Sequence, residues 1–185
     1  MLIGICGKSG SGKTTLANQI IKYYKGNAIH CDVDKIGHKA HTDPISKEKI
    51  INHFGNEILT NGNIDRKKLG KIVFNSKEEM QKLTEVTWTY MQQEIDKIIH
   101  DNKDKVIILD WILLPNSKYL KQCKYSILLD VPYEVRKKRA MLRDSITEEA
   151  FDLRDKASPI YDENQFNLIL KNNTNKEFER LAKLL

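Results

Sequence analysis

The chain has 185 residues, with 31 lysines and arginines against 25 aspartates and glutamates and a formal charge of +6, which fits one domain with a substantial core and no second catalytic domain. The positive excess suits anionic ligands, yet the two signs mix along the chain without a basic block, so a solvated surface is expected rather than a nucleic-acid partner. Cys6, Cys31 and Cys123 are odd in number, far apart and in no Cys-x-x-Cys pairing, which argues against a disulfide framework or a zinc site and fits a reducing cytosol.

Leu2-Ile3-Gly4-Ile5-Cys6 is a short apolar run suited to a buried parallel strand. It breaks at once into glycines, so no signal peptide is expected. Gly7-Lys8-Ser9-Gly10-Ser11-Gly12-Lys13-Thr14 fits Gly-x-x-x-x-Gly-Lys-[Ser/Thr], and Leu16, Ala17, Ile20, Ile21 and Tyr24 recur at helical spacing after it. The glycines let the backbone turn tightly and aim its N–H groups inward, making a concave anion site at the positive end of a helix. Lys13 is expected to reach the β- and γ-phosphates of a nucleoside triphosphate and Thr14 to place its hydroxyl on Mg²⁺. With Thr15, this stretch is the expected ATP contact.

Ala28-Ile29-His30-Cys31 reads as a second buried strand, ending at Asp32-Val33-Asp34. Ligands of open parallel sheets collect at the carboxyl ends of strands, so both aspartates are expected to face the crevice of the glycine loop. Two residues apart, they share a direction in extended backbone, and one is able to accept a proton or orient a hydroxyl; capping of the next helix by Asp34 is the alternative. Asp43 is a helix N-cap with Pro44 at the first helical position, and Asn61-Gly62-Asn63 marks a turn. Asp65 to Phe74 is another helix, and Ser76-Lys77-Glu78-Glu79 opens a long one as a capping box. The segment from about 36 to 101 is therefore a mainly helical insert interrupting the β-α alternation, expected to hold the second substrate.

Lys105 to Asp110 resumes the alternation as a buried strand ending in a carboxylate. Asp110 is a candidate for contacting Mg²⁺ through water, or for organising the loop after it. The run from Val106 to Leu114 is too short and too interrupted by Asp110 for a membrane helix. Tyr125 to Val131 is the next strand, and the helix begun by Pro132 carries Arg136, Lys137, Lys138, Arg139 and Arg143. Such a cluster is either a solvated face or a lid, over about 136–160, that closes arginines onto transferring phosphates. Thr147 opens a short helix, Phe166 to Leu170 is a fifth strand, and Thr174-Asn175-Lys176-Glu177 is a capping box for the last helix. The five histidines form no metal-ligand spacing on one face. Trp88 and Trp111 either line an acceptor pocket or pack in the core. The sum is an α/β chain with a five-stranded parallel sheet flanked by helices, its core over about 1–35, 102–135 and 165–185.

The chain resembles the dephospho-coenzyme A kinase family of P-loop kinases over most of its length. The most specific likeness is His53-Phe54-Gly55-Asn56-Glu57-Ile58-Leu59 followed by Asn63-Ile64-Asp65-Arg66-Lys67-Lys68-Leu69-Gly70-Lys71-Ile72-Val73-Phe74. Cys31-Asp32-Val33-Asp34 looks like the family's Asp-x-Asp, which assigns Asp34 to the acceptor hydroxyl. Arg139, Arg143-Asp144 and Arg154 look like the lid pattern, and Asn172 or Asn173 stands where an asparagine contacts adenine. The resemblance implies a kinase acting on ATP, Mg²⁺ and dephospho-coenzyme A, and the chain is expected to be a cytoplasmic monomer. It places Lys13, Asp34, Arg139 and Arg143 in catalysis and Asp32, Asp34 and Arg66 on the acceptor side. Departures fall at Trp88-Thr89 for a His-Pro pair, at Asp110-Trp111-Ile112-Leu113-Leu114-Pro115-Asn116 for Asp-x-Pro-Leu-Leu-x-Glu, at Lys171 for an acid, at a missing lid glutamine near Ser158, and at Gly-Lys-Ser in the loop. A nucleoside kinase of the same fold and a nucleotide-binding regulatory protein are the other readings left open.

Overall fold

In this computed structural model, residues 1–171 and 174–185 are described. The chain alternates from its first residues, with β1 (Leu2–Cys6), α1 (Lys13–Tyr23) and β2 (Ala28–Asp32). A mainly helical stretch follows, made of α2 (Val33–Lys39), α3 (Pro44–Phe54), β3 (Leu59–Thr60), β4 (Asn63–Ile64), α4 (Arg66–Val73) and α5 (Lys77–Asp101). Alternation then returns with β5 (Val106–Asp110), β6 (Tyr125–Leu129), α6 (Tyr133–Asp144), α7 (Glu148–Lys156), β7 (Leu168–Leu170) and α8 (Asn175–Leu184). These residues fall into two compact units, 1–32 with 98–185, and 33–97.

The first unit is built on a five-stranded sheet in the order β2-β5-β1-β6-β7, with every pairing parallel. β5 is buried at all five positions because β1 and β2 flank it. Strand alternation sends Ile3 and Ile5 toward α1 and α8, where they join Leu16, Ile20, Phe178 and Leu181 in one buried cluster. Gly4 points the other way, and a Cβ there would stand 2.5 Å from Leu114 Cδ2 and 2.9 Å from Cys123 Sγ. The segment after β5 is thus pressed against bare β1 backbone. From β1 the chain leaves toward β2 at the edge and later returns through β5 to β6 on the opposite side. The loop after β1 therefore stands where the strand order reverses, the place at which open α/β sheets bind ligands.

The second unit has its own core of Ile50, Phe54, Ile58, Leu69 and Val73. Asp43 caps α3 by accepting from Ser46 N at 2.9 Å, and Asp65 caps α4 by accepting from Lys67 N and Lys68 N. Ser76 Oγ accepts from Glu79 N at the start of α5, and Glu79 also bonds Lys82 and His53.

Two expectations need correcting, those for Asp32 with Asp34 and for the last strand, and two others are sharpened. The turn at residues 61–63 belongs to a small antiparallel hairpin, Leu59 opposite Ile64 and Thr60 opposite Asn63, with Asn61 and Gly62 both at positive φ (51° and 74°). That is the two-residue turn whose twist suits a hairpin. Helix α2 begins at Val33, so Asp32 ends a strand while Asp34 sits in a helical first turn; the two side chains do not share one extended direction. The last strand is shorter than expected, covering only Leu168–Leu170. Trp111 is 1% exposed and belongs to the core.

Candidate active site

The glycine loop is shaped by three residues at positive φ: Gly7 at 148°, Gly10 at 80° and Gly12 at 97°. Gly12 stands at the N-cap of α1 in the left-handed region, and no side chain caps that helix. Its first-turn N–H groups are therefore the donors available to an anion. Ser11 N donates to Lys8 O at 3.1 Å and tightens the turn. A Cβ on Gly10 would lie 2.3 Å from Arg136 O, so the loop abuts the first turn of α6 with no room for a side chain.

At the far side of the loop, Thr14 Oγ1 donates to Asp110 Oδ2 at 2.9 Å. The same carboxylate oxygen is 3.2 Å from His30 Nε2, and Asp110 is 3% exposed. Asp32 lies opposite Asp110 in the β2–β5 register, so the ends of β2 and β5 bring two carboxylates and the first turn of α1 a hydroxyl. These are hard oxygen donors of the kind Mg²⁺ takes while keeping water and phosphate oxygens as its other ligands. The thiol of Cys31, between His30 and Asp32, is pushed up to about 12 by burial, with the charges of Asp32 and Asp110 adding to it.

Helices α6 and α7 bring basic groups to the same loop. Arg143 Nη2 donates to Ser9 Oγ at 3.5 Å, while Arg143 Nε and Nη2 donate to Asp144 at 2.7 and 2.8 Å. That bond to Asp144 holds the Arg143 guanidinium above its ordinary range, and the fields of Asp110 and Asp32 reinforce it. Arg154 Nη1 donates to Asp144 Oδ2, the oxygen that also accepts from Arg143 Nη2. Donation from Arg143 and then Arg154 holds Asp144 down to about 2. Arg136 is different: it is buried, its Nε donating to Val131 O at 2.9 Å and its Nη1 to Asp155 Oδ1. Lys8 Nζ lies 3.8 Å from the second oxygen of Asp155. Arg139 is exposed on α6 beside Val135 and Leu142.

Of the residues expected to act on ATP, the first unit thus brings Lys8, Ser9, Thr14, Asp110 and Arg143 into one bonded neighbourhood with the glycines. Lys13 and Thr15 share the first turn of α1 with Thr14. Asn172 and Asn173 lie outside the described residues. Asp34, Arg66 and Trp88 belong to the second unit. There, Arg66 Nη2 stands 2.8 Å from His38 Nε2; a guanidinium only donates, so that imidazole nitrogen accepts. The half-buried His41 nearby has its pKa lowered by burial first and by Arg66 second.

His30, Asp155 and the His38–Arg66 pair were not foreseen as site features. His30 shares a strand face with Asp32, two residues on, and only the β2–β5 register brings that face to Asp110. Period-two alternation was the available signal, but it does not name the neighbouring strand.

A family model described as dephospho-CoA kinase matches residues 1–177. The dephospho-CoA kinase of Fusobacterium nucleatum is 35% identical over 180 residues, covering 96% of this chain and 92% of the relative. Among solved structures, the Thermus thermophilus protein TT1252 superposes with a TM-score of 0.79 at 23% identity, over 100% of this chain and 98% of the other, which speaks for the fold. The dephospho-CoA kinase of Campylobacter jejuni superposes with a TM-score of 0.54 at 26% identity, over 99% and 94% of the two chains. With an intact glycine loop at the strand-order reversal and this coverage, the chain belongs to the dephospho-CoA kinase family.

Proposed function

We propose that the chain transfers the γ-phosphoryl group of ATP to the ribose 3′-hydroxyl of dephospho-coenzyme A, giving coenzyme A and ADP. The observation that carries this reading is the family match over residues 1–177, joined to a glycine loop whose helix start is uncapped. The loop N–H groups and Lys13 hold the β- and γ-phosphates. Thr14 and Asp110 are the residues that would hold Mg²⁺, which would neutralise charge on the phosphate oxygens when bound.

Asp34 orients the attacking hydroxyl and accepts its proton as the oxygen bonds to phosphorus and the bond to the ADP oxygen breaks. Arg143, with Arg139, closes from a lid over residues of α6 and α7 and offsets charge spread over the transferring group. Arg66 and Trp88 serve the acceptor side. The enzyme works as a monomer in the cytoplasm; no helix among the described residues is long and apolar enough to cross a membrane.

The test is ADP formation from ATP with dephospho-coenzyme A and, in parallel, a panel of nucleosides, with Lys13→Ala as the blank. Turnover with dephospho-coenzyme A alone supports the reading. Turnover with a nucleoside and none with dephospho-coenzyme A overturns it.

A further inference from the structure

Arg143 is the penultimate residue of α6 and Asp144 the last, and the chain turns away at Ser145 through a left-handed residue (φ 51°). A guanidinium carries five N–H donors in a fixed plane. In Arg143 the side edge is already committed: Nε–H goes to Asp144 Oδ1 at 2.7 Å and one Nη2–H to Oδ2 at 2.8 Å. The plane is thereby fixed, because a two-point bond to a carboxylate leaves no rotation about its axis. What remains is the end edge, formed by the other Nη2–H and an Nη1–H. Its Nη2 reaches Ser9 Oγ at the limiting distance of 3.5 Å, so this edge faces the glycine loop. Arg154 Nη1 donates to the same Oδ2 that takes Arg143 Nη2, so the carboxylate is itself held by a second residue while Arg143 leans on it.

We propose that Asp144 is a positioning residue that aims the end-on fork of Arg143 at the phosphoryl group passing over Ser9. One guanidinium thus serves two anions with two edges, the permanent one from the side and the transferring one from the end. A lysine at 143 has a single ammonium and cannot divide its donors in this way. Asp144→Asn keeps the shape but loses the charge and one of the two acceptor oxygens, so the fork loses its fixed bearing. This inference rests on the phosphoryl transfer proposed above, though its test can be read without the acceptor.

The experiment compares wild type, Asp144→Asn, Asp144→Glu, Arg143→Ala and the Arg143→Ala/Asp144→Asn double variant. Steady-state kinetics are read together with calorimetric binding of ADP alone and of ADP with Mg²⁺ and fluoroaluminate, a mimic of the transferring group. For Asp144→Asn we expect kcat to fall about tenfold or more with KM for ATP within about threefold. Fluoroaluminate-dependent tightening should fall about tenfold in the same protein while ADP binding stays within about twofold. In the Arg143→Ala background the second substitution should alter kcat by less than about twofold, since the group it would aim is gone. Asp144→Glu, which keeps the charge on a longer arm, should lie between wild type and Asp144→Asn.

Unchanged fluoroaluminate binding in a folded Asp144→Asn protein overturns the proposal. So does an equal loss with and without Arg143, which would mark Asp144 as structural. If wild type forms no coenzyme A, the acceptor assignment fails, and the fluoroaluminate comparison still decides the role of Asp144.

Discussion

Thr14 Oγ1 donates to Asp110 Oδ2 over 2.9 Å, tying the first turn of α1 to the last residue of β5 across 96 positions of sequence. With its proton given to Asp110, the threonine oxygen keeps its lone pairs for a metal ion. Asp110→Ala should therefore weaken the apparent Mg²⁺ affinity by about tenfold to a hundredfold, the usual effect of removing a group that orients a metal ligand. Titration of ADP formation with Mg²⁺ checks this, and an unchanged midpoint would refute it.

Arg136 and Arg139 lie one turn apart on α6 but differ in burial, the first 6% exposed and the second on the surface. Replacing Arg136 by alanine leaves Asp155 without its buried partner and should cost about 3 to 5 kcal/mol. Arg139→Ala should stay within about 0.5 kcal/mol of wild type in stability. Urea unfolding of the two variants is the measurement, and equal losses would contradict the distinction.

Gly10→Ala meets both a positive φ of 80° and the Arg136 carbonyl 2.3 Å from the new methyl. Backbone strain alone is about 1 to 2 kcal/mol, and the overlap adds to it. We expect a lower melting temperature and weaker ATP binding together. A variant that keeps both would show that the loop can move off α6 freely.

The folded protein holds Asp144 down to about 2, so its carboxylate binds a proton less readily than in the unfolded chain. The stability this gives is complete above the ordinary aspartate range near about 3.9 and is lost as pH falls toward about 2. Urea midpoints measured between these two values should drop less steeply for Asp144→Asn than for wild type. Parallel slopes would argue against the pairing with Arg143 and Arg154.

Burial pushes both Cys31 and Cys123 up to about 12. Almost no thiolate is then present at neutral pH, and the thiolate is the reactive form. Iodoacetamide at mildly alkaline pH should label these positions only after unfolding, as read by mass spectrometry of digested protein. Rapid labelling of either in the native state would contradict their burial.

Much of this architecture was written in local signals. Asp43-Pro44, Asp65, Thr147 and Thr174 mark the starts of α3, α4, α7 and α8 because each supplies a cap within a few residues. The hairpin at 59–64 escaped because strands of two residues are too short to display alternation. Asp34 was placed in extended backbone because the strand pattern does not reveal that a helix starts at Val33 without any intervening turn. The Thr14–Asp110 bond was half legible, as two candidate metal residues, whereas the addition of His30 needed the strand order. Arg136 looked like its charged neighbours until its burial set it apart, since composition carries no information on which turn of a basic helix faces inward.

Because Gly10 lies flush against the Arg136 carbonyl, and the Arg136 side chain is fastened to Val131 and Asp155, the opening turn of α6 is anchored to the nucleotide cradle. It cannot be the fulcrum of any swinging arm. A gate built from this helix would have to bend downstream of Arg136, carrying Arg143 on the free end of a lever only two turns long.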